Sequence, residues 1–265
     1  MNTKQTITDD LDTARSEALC ILLGLNTSVA QRSALPPFFH QVYFWQPQPN
    51  ALLGRDGHPA VGRDGLIPDL GLPRRMWAGG QLSFHKALLS GVPAAKTSAL
   101  ESSEIKQGKR GPMGFVKLRH EIHQDGELCV TDMQDLVYLN DPDPSAPKPP
   151  VIEAPKNEEV CEKASFSSTD LFRYSALTFN GHRIHYDLDY CRNVEGYENL
   201  VVHGPLLAQK LMLLAHKTFG SLSQFQFRAK SPVMCGEQVE FCQNEDRLWV
   251  RGSDGRLCVE ATASA

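Results

Sequence analysis

The sequence predicts an α+β protein made of two similar halves joined by a proline-rich linker. Residues 140–155 contain six prolines, a density that blocks both helices and central strands. The segments Gly126–Val130 and Gly255–Val259 share the pattern Gly-x-Leu-Cys-Val, and each follows an acid-containing turn. This internal similarity indicates two diverged copies of one design. We therefore expect an N-terminal unit, a linker and a C-terminal unit, which span residues 1–140, 141–157 and 158–265.

The N-terminal unit is predicted to open with an amphipathic helix that stops at Gly24, because apolar residues recur near the helical period from Leu11 to Leu22. A Gly/Pro-rich stretch from Pro47 to Gly80 follows, and its length favours a functional segment or one that wraps across a surface. Strand patterns then cover residues 114–122, 128–130 and 136–139, with Asp125-Gly126 as a hairpin turn.

The C-terminal unit contains the strongest helix signal of the chain. A stripe of Leu207, Leu211 and Leu214 predicts a helix over about residues 205–219, with Pro205 suited to its first turn and Gly220 to its end. Short strands are predicted after it, over residues 225–228, 237–242, 248–251 and 257–261.

Composition excludes several classes of function. A formal net charge of -4 argues against sequence-independent binding of nucleic acid. No apolar run approaches the roughly 20 residues that span a bilayer, so we expect no membrane contact. The seven cysteines form no C-x-x-C pair, and the N-terminus lacks a basic-then-apolar signal pattern. We therefore expect buried thiols in a reducing compartment, which predicts a cytoplasmic protein.

Two segments concentrate residues that can carry chemistry. Within eight positions the chain places Asn180, His182, Arg183, His185 and Asp187. Downstream, His203-Gly204 opens the predicted helix. A helix N-terminus presents unpaired N–H groups and partial positive charge, which suits a developing oxyanion.

These segments resemble the MaoC-type hydratases and dehydratases of acyl thioesters, whose hot-dog fold wraps an antiparallel sheet around a central helix. The family motif reads Gly-Asp-x-Asn-Pro-Leu-His, with a second Asp two residues later. Asn180 stands at the position of its first Asp, His185 at its His and Asp187 at its trailing Asp, and His203-Gly204 corresponds to a later His-Gly pair.

A narrower resemblance comes from the form of the motif. The variant Phe-Asn-x-His-Arg-Ile-His-Tyr-Asp is similar to type-two hydroxyacyl-thioester dehydratases and to itaconyl-CoA and mesaconyl-CoA hydratases. The segment Leu72–Gly80, which contains Arg-Arg-Met-Trp, also resembles the latter subgroup. The resemblance implies a double hot-dog, in which two fused antiparallel sheets each wrap a central helix and only the C-terminal unit carries the catalytic loop.

The same resemblance implies a division of labour in adding water to an enoyl thioester. His185 would act as the base and then as the acid, for which an ordinary pKa near 6.5 is suited. The N–H of Gly204 would stabilise the thioester enolate. The amide of Asn180 cannot take up a proton, so it would position water or substrate. No cofactor is implied, since CoA is part of the acyl-CoA substrate, and a homodimer is possible.

Substrate-binding candidates each have a structural alternative. His182 either contacts substrate or braces the loop, and Arg183 either pairs with Asp187 or Asp189 or meets a substrate carboxylate. Arg74 and Arg75, beside Trp77, are either a solvated pair or a clamp for a carboxylate or a CoA phosphate. We expect His203 to pack at the helix start more than to act as a second catalyst. The candidate binding set is His182, Arg183, His203, Arg74, Arg75 and Trp77.

A metal site is the competing interpretation of the histidine cluster. His182, His185, Asp187 and His203 imitate the two-His-one-carboxylate set of non-haem iron oxygenases. The long helix directly after His203 fits such a site poorly, so we expect no metal.

The expected function is reversible hydration of an α,β-unsaturated acyl-CoA. The subgroup resemblance suggests a short branched dicarboxylic acyl group, with itaconyl-CoA or mesaconyl-CoA converted to citramalyl-CoA. One alternative is a 3-hydroxyacyl-ACP dehydratase of fatty-acid synthesis, which the negative net charge disfavours because acyl carrier proteins are acidic. Another is a non-catalytic acyl-CoA-binding protein in which Asn180 marks lost activity.

Overall fold

The computed structural model describes residues 4–26, 28–62, 65–108, 111–143, 145 and 150–265. Two residues of the Gly/Pro-rich stretch, 63 and 64, and most of the middle of the predicted linker, 144 and 146–149, lie outside these ranges. The α-helices are α1 (Thr13–Leu23), α2 (Ser168–Thr178), the single turn α3 (Leu188–Tyr190) and α4 (Gly204–Phe219). The strands are β1 (Lys4–Asp9), β2 (Arg74–Phe84), β3 (Ala94–Gly108), β4 (Gly111–Gln124), β5 (Glu127–Leu139), β6 (Val160–Ala164), β7 (Gln224–Ala229), β8 (Val239–Asn244), β9 (Arg247–Arg251) and β10 (Leu257–Ser264).

The ten strands form one sheet in the order β1-β3-β4-β5-β2-β7-β10-β9-β8-β6, and every pairing is antiparallel. The five strands before the linker occupy one side of the sheet and the five after it the other, so within the sheet the halves are joined where β2 pairs with β7. Gly79 lies at this junction, and a Cβ there would be 2.5 Å from the carbonyl oxygen of Phe227. A residue without a side chain is required for so close an approach.

Several predicted elements are confirmed. Helix α1 ends at Gly24, which adopts the left-handed conformation, and Pro205 lies in the first turn of α4. Asp125 and Gly126 join β4 to β5 with φ of 52° and 79°, as a two-residue hairpin turn with both central residues at positive φ requires.

Other elements differ from the predictions. The N-terminal unit opens with a strand, β1, rather than with α1, and the two short runs predicted within 128–139 form one continuous strand, β5. The end of the Gly/Pro-rich stretch, Arg74–Gly80, belongs to β2. Tertiary pairing overrides weak local signals here, because β2 gains partners on both edges.

The halves cover the sheet differently. Helix α4 packs against β8, β9, β10, β7 and β2. Its central residues are buried nearly all round, with Leu206, Ala208, Leu211, Met212 and Ala215 at most 1% exposed. Helix α1 instead packs against α2 and against the short 3-10 helix Phe39–Val42. A single apolar core continues from α1 through α4 to the strands of both halves. No helix in the described ranges is long and apolar enough to cross a membrane.

Candidate active site

The motif segment forms a compact loop between α2 and α4. Helix α2 begins with a capping box between Ser167 and Asp170 and ends at Phe179, which takes a left-handed conformation with φ of 50°. The chain then turns into the 3-10 helix Arg183–His185 and helix α3. Local capping therefore fixes where the loop leaves α2.

Asn180 shapes the start of this loop. Its side-chain Oδ1 accepts a hydrogen bond of 2.9 Å from the backbone N–H of His182, and its own N–H donates to the carbonyl of Ser175. Asn180 thus forms an Asx turn directly after the C-terminus of α2. The side-chain oxygen Oδ1 of Asn180 is thus already engaged, so its predicted role as a positioner includes holding the loop as well as any contact made by its amide nitrogen.

His185 has one ring nitrogen fixed by the protein. His185 is 6% exposed as a residue, and its Nδ1 lies 2.7 Å from the carbonyl oxygen of Val201. Because a carbonyl can only accept, Nδ1 carries the proton and Nε2 presents a lone pair. Burial, reinforced by nearby His182, lowers the pKa of His185 to about 3. The expectation of an ordinary pKa near 6.5 is therefore wrong for this site, since desolvation penalises the imidazolium.

His203 lies directly behind His185. The two rings stack with centroids 3.6 Å apart and planes 19° apart, and Nε2 of His203 is 2.8 Å from Oγ of Ser175. His203 is completely buried, and burial lowers its pKa well below the ordinary value. These contacts agree with packing at the helix start. They leave no exposed part of the ring that a substrate could touch.

Gly204 supplies a free donor beside this imidazole pair. It is the first residue of α4, it is half-buried, and its N–H takes part in no hydrogen bond in the described part of the chain. The N–H groups of Leu206 and Leu207, by contrast, donate to the carbonyl of His203. A Cβ on Gly204 would be 3.8 Å from the carbonyl oxygen of Trp77. The first turn of α4 therefore has one N–H that could donate to an oxyanion, and it directly follows His203, whose ring stacks on that of His185.

A segment from the N-terminal unit completes the site. The N–H of Arg183 donates to the carbonyl of Asp56 at 2.9 Å, and the ring of His58 lies 4.9 Å from that of His182. Gly57 and Gly181 are in such close contact that a Cβ on Gly57 would be 2.0 Å from the carbonyl oxygen of Gly181. Part of the Gly/Pro-rich stretch therefore wraps across the motif loop, with residues 56–58 packed against residues 181–183.

Sequence reasoning missed Asp56, Gly57 and His58 as members of the site. The available signal was a histidine between glycine and proline inside a stretch already singled out as too long for an ordinary loop. Nothing local in the sequence joins this segment to residues more than 120 positions away.

The three candidate arginines are each paired with a carboxylate of the protein. Arg183 contacts Asp187 Oδ2 through Nε and Nη2 at 3.0 and 2.7 Å, and Arg74 Nε lies 2.7 Å from Glu195 Oε2. Arg75 Nη2 lies 3.3 Å from Asp56 Oδ2 and also donates to the carbonyl of Pro59. Arg183 therefore forms the ion pair of its structural alternative. Arg74 and Arg75 are not a solvated pair, because their side chains are 12% and 15% exposed and each contacts a carboxylate.

The remaining binding candidates are Trp77, which is half-buried, and His182, which is buried. The indole N–H of Trp77 donates to the carbonyl of Gly79 at 2.9 Å, and its ring lies between Phe38 and Phe227. His182 is 6% exposed, and its Nε2 has no hydrogen-bond partner. Burial, followed by the positive charges of Arg75 and Arg74, lowers the pKa of His182 to about 4. The neighbouring imidazoles of the cluster therefore stay neutral at neutral pH, which avoids mutual repulsion.

The geometry does not gather a metal-ligand set from this loop. Asp187 is occupied by Arg183 and by the N–H of Tyr190. Across the residues that the structure describes, the only three ligand atoms lying within 4.8 Å of one another belong to Glu158, Cys161 and Cys242, on and beside β6 and β8.

Comparisons with known proteins agree with the fold and the motif. The family model for hydroxyacyl-thioester dehydratase type 2 matches residues 38–235. The mesaconyl-C(4)-CoA hydratase of Chloroflexus aurantiacus is 40% identical over 238 residues, which cover 87% of this chain and 83% of the relative.

Solved structures share the architecture at low identity. A MaoC-like dehydratase from Phytophthora capsici superposes with a TM-score of 0.69 at 12% identity, covering 99% of this chain and 95% of the other. A Mycobacterium tuberculosis protein described as having a double hotdog fold gives a TM-score of 0.63 at 13% identity, covering 99% and 96%. The predicted α+β double hot-dog is thereby confirmed. The chain belongs to the hydroxyacyl-thioester dehydratase type 2 family of MaoC-like, hot-dog hydro-lyases.

Proposed function

We propose that this protein catalyses the reversible addition of water to a short, branched, dicarboxylic enoyl-CoA, of which mesaconyl-CoA and itaconyl-CoA are the candidates and citramalyl-CoA the product. Two observations support the hydration chemistry. Nε2 of His185 is free, and the unengaged N–H of Gly204 at the start of α4 directly follows His203, whose ring stacks on His185. The relative named mesaconyl-C(4)-CoA hydratase supports the choice of acyl group.

The proposed reaction uses one base and one donor. Nε2 of His185 takes a proton from a water as its oxygen bonds to the β-carbon, while the N–H of Gly204 donates to the thioester oxygen that becomes an enolate. The imidazolium then gives the same proton to the α-carbon, so the double bond gains one hydrogen and one hydroxyl. Because burial lowers the pKa of His185, the ring is neutral and can accept a proton at neutral pH, and the imidazolium formed in the reaction gives the proton back.

The surrounding residues keep this base in place. The carbonyl of Val201 fixes the tautomer of His185, and the ring of His203, held by Ser175, fixes its plane. Contacts of this kind hold a buried catalytic group in its reactive orientation before the substrate binds.

The test is a spectrophotometric assay that follows loss of the enoyl thioester with mesaconyl-CoA, itaconyl-CoA and crotonyl-CoA. We expect a clear preference for one of the two dicarboxylic substrates. Equal or faster turnover of crotonyl-CoA would contradict the dicarboxylic part of the proposal. Binding of all three without any turnover would favour the non-catalytic alternative, and turnover confined to an acyl carrier protein thioester would favour the dehydratase of fatty-acid synthesis.

We also propose a cytoplasmic location and no cofactor besides the CoA of the substrate. All seven cysteines are free thiols, which supports a reducing compartment. A homodimer is proposed from the family resemblance, and light scattering of the purified protein would test it.

A further inference from the structure

Two cysteines lie directly opposite each other at the edge of the C-terminal half. Cys161 is on β6, the last strand of the sheet, and Cys242 is on its neighbour β8, where the register pairs the two residues. Their Sγ atoms are 3.8 Å apart, although the residues are 81 positions apart in the chain. The proposed hydration uses neither thiol.

The strand register brings these thiols within reach of a covalent bond. Directly opposite residues on antiparallel strands have Cα atoms about 4.5–5.5 Å apart, and disulfides span Cα separations of about 4.4–6.8 Å. The sulfurs have to close from 3.8 Å to about 2.05 Å. Because β6 is the last strand of the described sheet, no strand on its far side opposes the small movement that this closure needs.

The two thiols have different surroundings. Cys161 is exposed, whereas Cys242 is completely buried in a small apolar cluster with Ala154, Trp249 and Leu257. Burial, reinforced by nearby Cys161, raises the pKa of the Cys242 thiol to about 12. A dissolved oxidant therefore meets Cys161 first. An accessible thiol next to a second thiol that can displace its oxidised form is the arrangement found in reversible cysteine oxidation.

The third member of this cluster, Glu158, makes a metal site the weaker interpretation. Its carboxylate lies within 4.8 Å of both sulfurs, but both of its oxygens accept hydrogen bonds from Arg251. A metal binds the thiolate form of cysteine, and burial keeps Cys242 protonated. The guanidinium of Arg251 also places a positive charge where a cation would have to bind. Oxidation of the two thiols requires neither Glu158 nor a cation.

We propose that Cys161 and Cys242 are a reversible oxidation site, at which a hydroperoxide converts the two thiols into a disulfide that links β6 to β8. The Cys161 sulfur attacks the O–O bond of the peroxide, and its proton leaves with the departing oxygen. For hydrogen peroxide the products are a sulfenic acid and water. The Cys242 sulfur then attacks the sulfenic sulfur, and its proton leaves with the hydroxyl as a second water. The two thiols lose two electrons, and the peroxide gains them.

The disulfide would enclose the whole catalytic segment. The covalent loop from residue 161 to residue 242 contains α2, the motif loop and α4, and therefore His185 and Gly204. At its start, β6 ends at Ala164, and Ser167 caps α2 directly afterwards. A covalent link across such a loop stabilises the folded state by restricting the unfolded chain. We therefore expect peroxide to make the protein more resistant to unfolding.

The experiment follows the thiols of the reduced, full-length protein. After hydrogen peroxide treatment with a chelator present, the thiols titrated in denaturant should fall from seven to five, because one disulfide consumes two. Peptide mapping without reductant should find one linked pair, which contains Cys161 and Cys242. The melting temperature should rise by about 5–10 °C. Dithiothreitol should restore all seven thiols and the original melting temperature.

Three variants serve as controls. Cys161→Ser should keep its remaining six thiols in peroxide and show no rise in melting temperature. Cys242→Ala should form a sulfenic acid at Cys161 that dimedone traps, with no linked peptide. Cys235→Ser removes a half-buried cysteine of the same half and should still lose two thiols and gain the same thermal stability.

Several results would overturn the assignment. One is a linked peptide that joins other cysteines, and another is the loss of two thiols in Cys161→Ser. A third is Cys161 oxidised to a sulfinic acid in the unmodified sequence while Cys242 stays a thiol. A metal site would be indicated instead if stoichiometric zinc, added without chelator, bound tightly and kept both thiols reduced in peroxide. None of these measurements depends on hydratase activity, so the inference stands or fails separately from the proposed function.

Discussion

The two halves of the molecule cover their parts of the sheet with helices of very different length. The C-terminal half covers its strands with the 16-residue helix α4, whose first residue, Gly204, supplies the proposed oxyanion donor. The N-terminal half has the four-residue helix Phe39–Val42 near its strands and a polar cavity beside it. The C-terminal half thus carries the proposed catalytic groups, while the N-terminal half contains a cavity large enough for a ligand. Shortening a covering helix exposes the inner face of a sheet, and polar residues there become functional candidates.

The largest loss of activity is expected from removing the proposed base, His185, of the C-terminal half. His185→Ala should lower kcat for hydration by about 100- to 10,000-fold, the usual contribution of a general acid–base group. Steady-state assays with the preferred thioester measure this loss. His85→Ala is the control, because His85 is an exposed histidine of the N-terminal half that contacts Thr131. A His185→Ala variant with more than about a tenth of normal activity would contradict the assignment.

The next largest effect should come from separating the halves at the Gly57–Gly181 contact. Gly57→Ala places a Cβ within 2.0 Å of the carbonyl oxygen of Gly181, so the N-terminal segment must move away from the catalytic loop. A displacement near 1 Å can cost about 100-fold in rate, which kcat measures.

The matched control is Gly255→Ala, which has the same φ of +86° but open space around the added Cβ. It should cost about 1 kcal/mol of stability from backbone strain and leave kcat unchanged. Equal kinetic losses in both variants would show that strain, not contact between the halves, is responsible.

The pH dependence of the free energy of unfolding tests whether the buried histidines of the two halves, His182 and His120, are neutral in the folded protein. Burial lowers the pKa of His182 to about 4 and, in the N-terminal half, the pKa of His120 to about 4. Both values lie below the unfolded pKa of about 6.5, so the unfolded state takes up protons first as pH falls. The free energy of unfolding should be highest above about pH 6.5 and should fall by about 1.4 kcal/mol per pH unit for each such histidine below it.

Urea titrations between about pH 7.5 and about pH 5 measure this slope. His182→Gln and His120→Gln should each remove about one histidine's share of it. A slope that stays the same in His182→Gln would mean that this ring is protonated in the folded protein.

The smallest effect is expected at Asn180. Asn180→Ala removes the acceptor of the His182 N–H bond and should lower kcat about 5-fold, because one neutral hydrogen bond is worth roughly 1 kcal/mol. Asn180→Asp keeps the acceptor and should retain most of the activity. A loss as large as that of His185→Ala would contradict the division of labour between the two residues.

The catalytic loop was accessible from the sequence because its residues are close in the chain. One motif contains Asn180, His182, Arg183 and His185. The helix that begins at Gly204 is predicted by its leucine stripe and by Gly220 at its end. The strands β1, β2, β3 and β6 were not predicted. Their polar faces lack a clear alternation, and pairing with neighbouring strands decides their conformation.

The roles of the arginines could not be derived from the chain order. Arg74 and Glu195 are 121 positions apart, and Arg75 meets Asp56 only because the Gly/Pro-rich stretch folds back over β2. An ion pair between distant residues leaves no mark in local sequence, so a paired arginine and an arginine that awaits a substrate carboxylate look the same.

The sequence by itself determined the α+β division into two units, the helix that carries Gly204 and the motif around His185, since each depends on local period, turn chemistry or spacing. Only the tertiary structure decided that His203 supports His185 from behind, that Gly57 contacts Gly181, and that Arg74 pairs with Glu195. Burial and long-range contact set these features, and both are properties of the packed chain rather than of any segment.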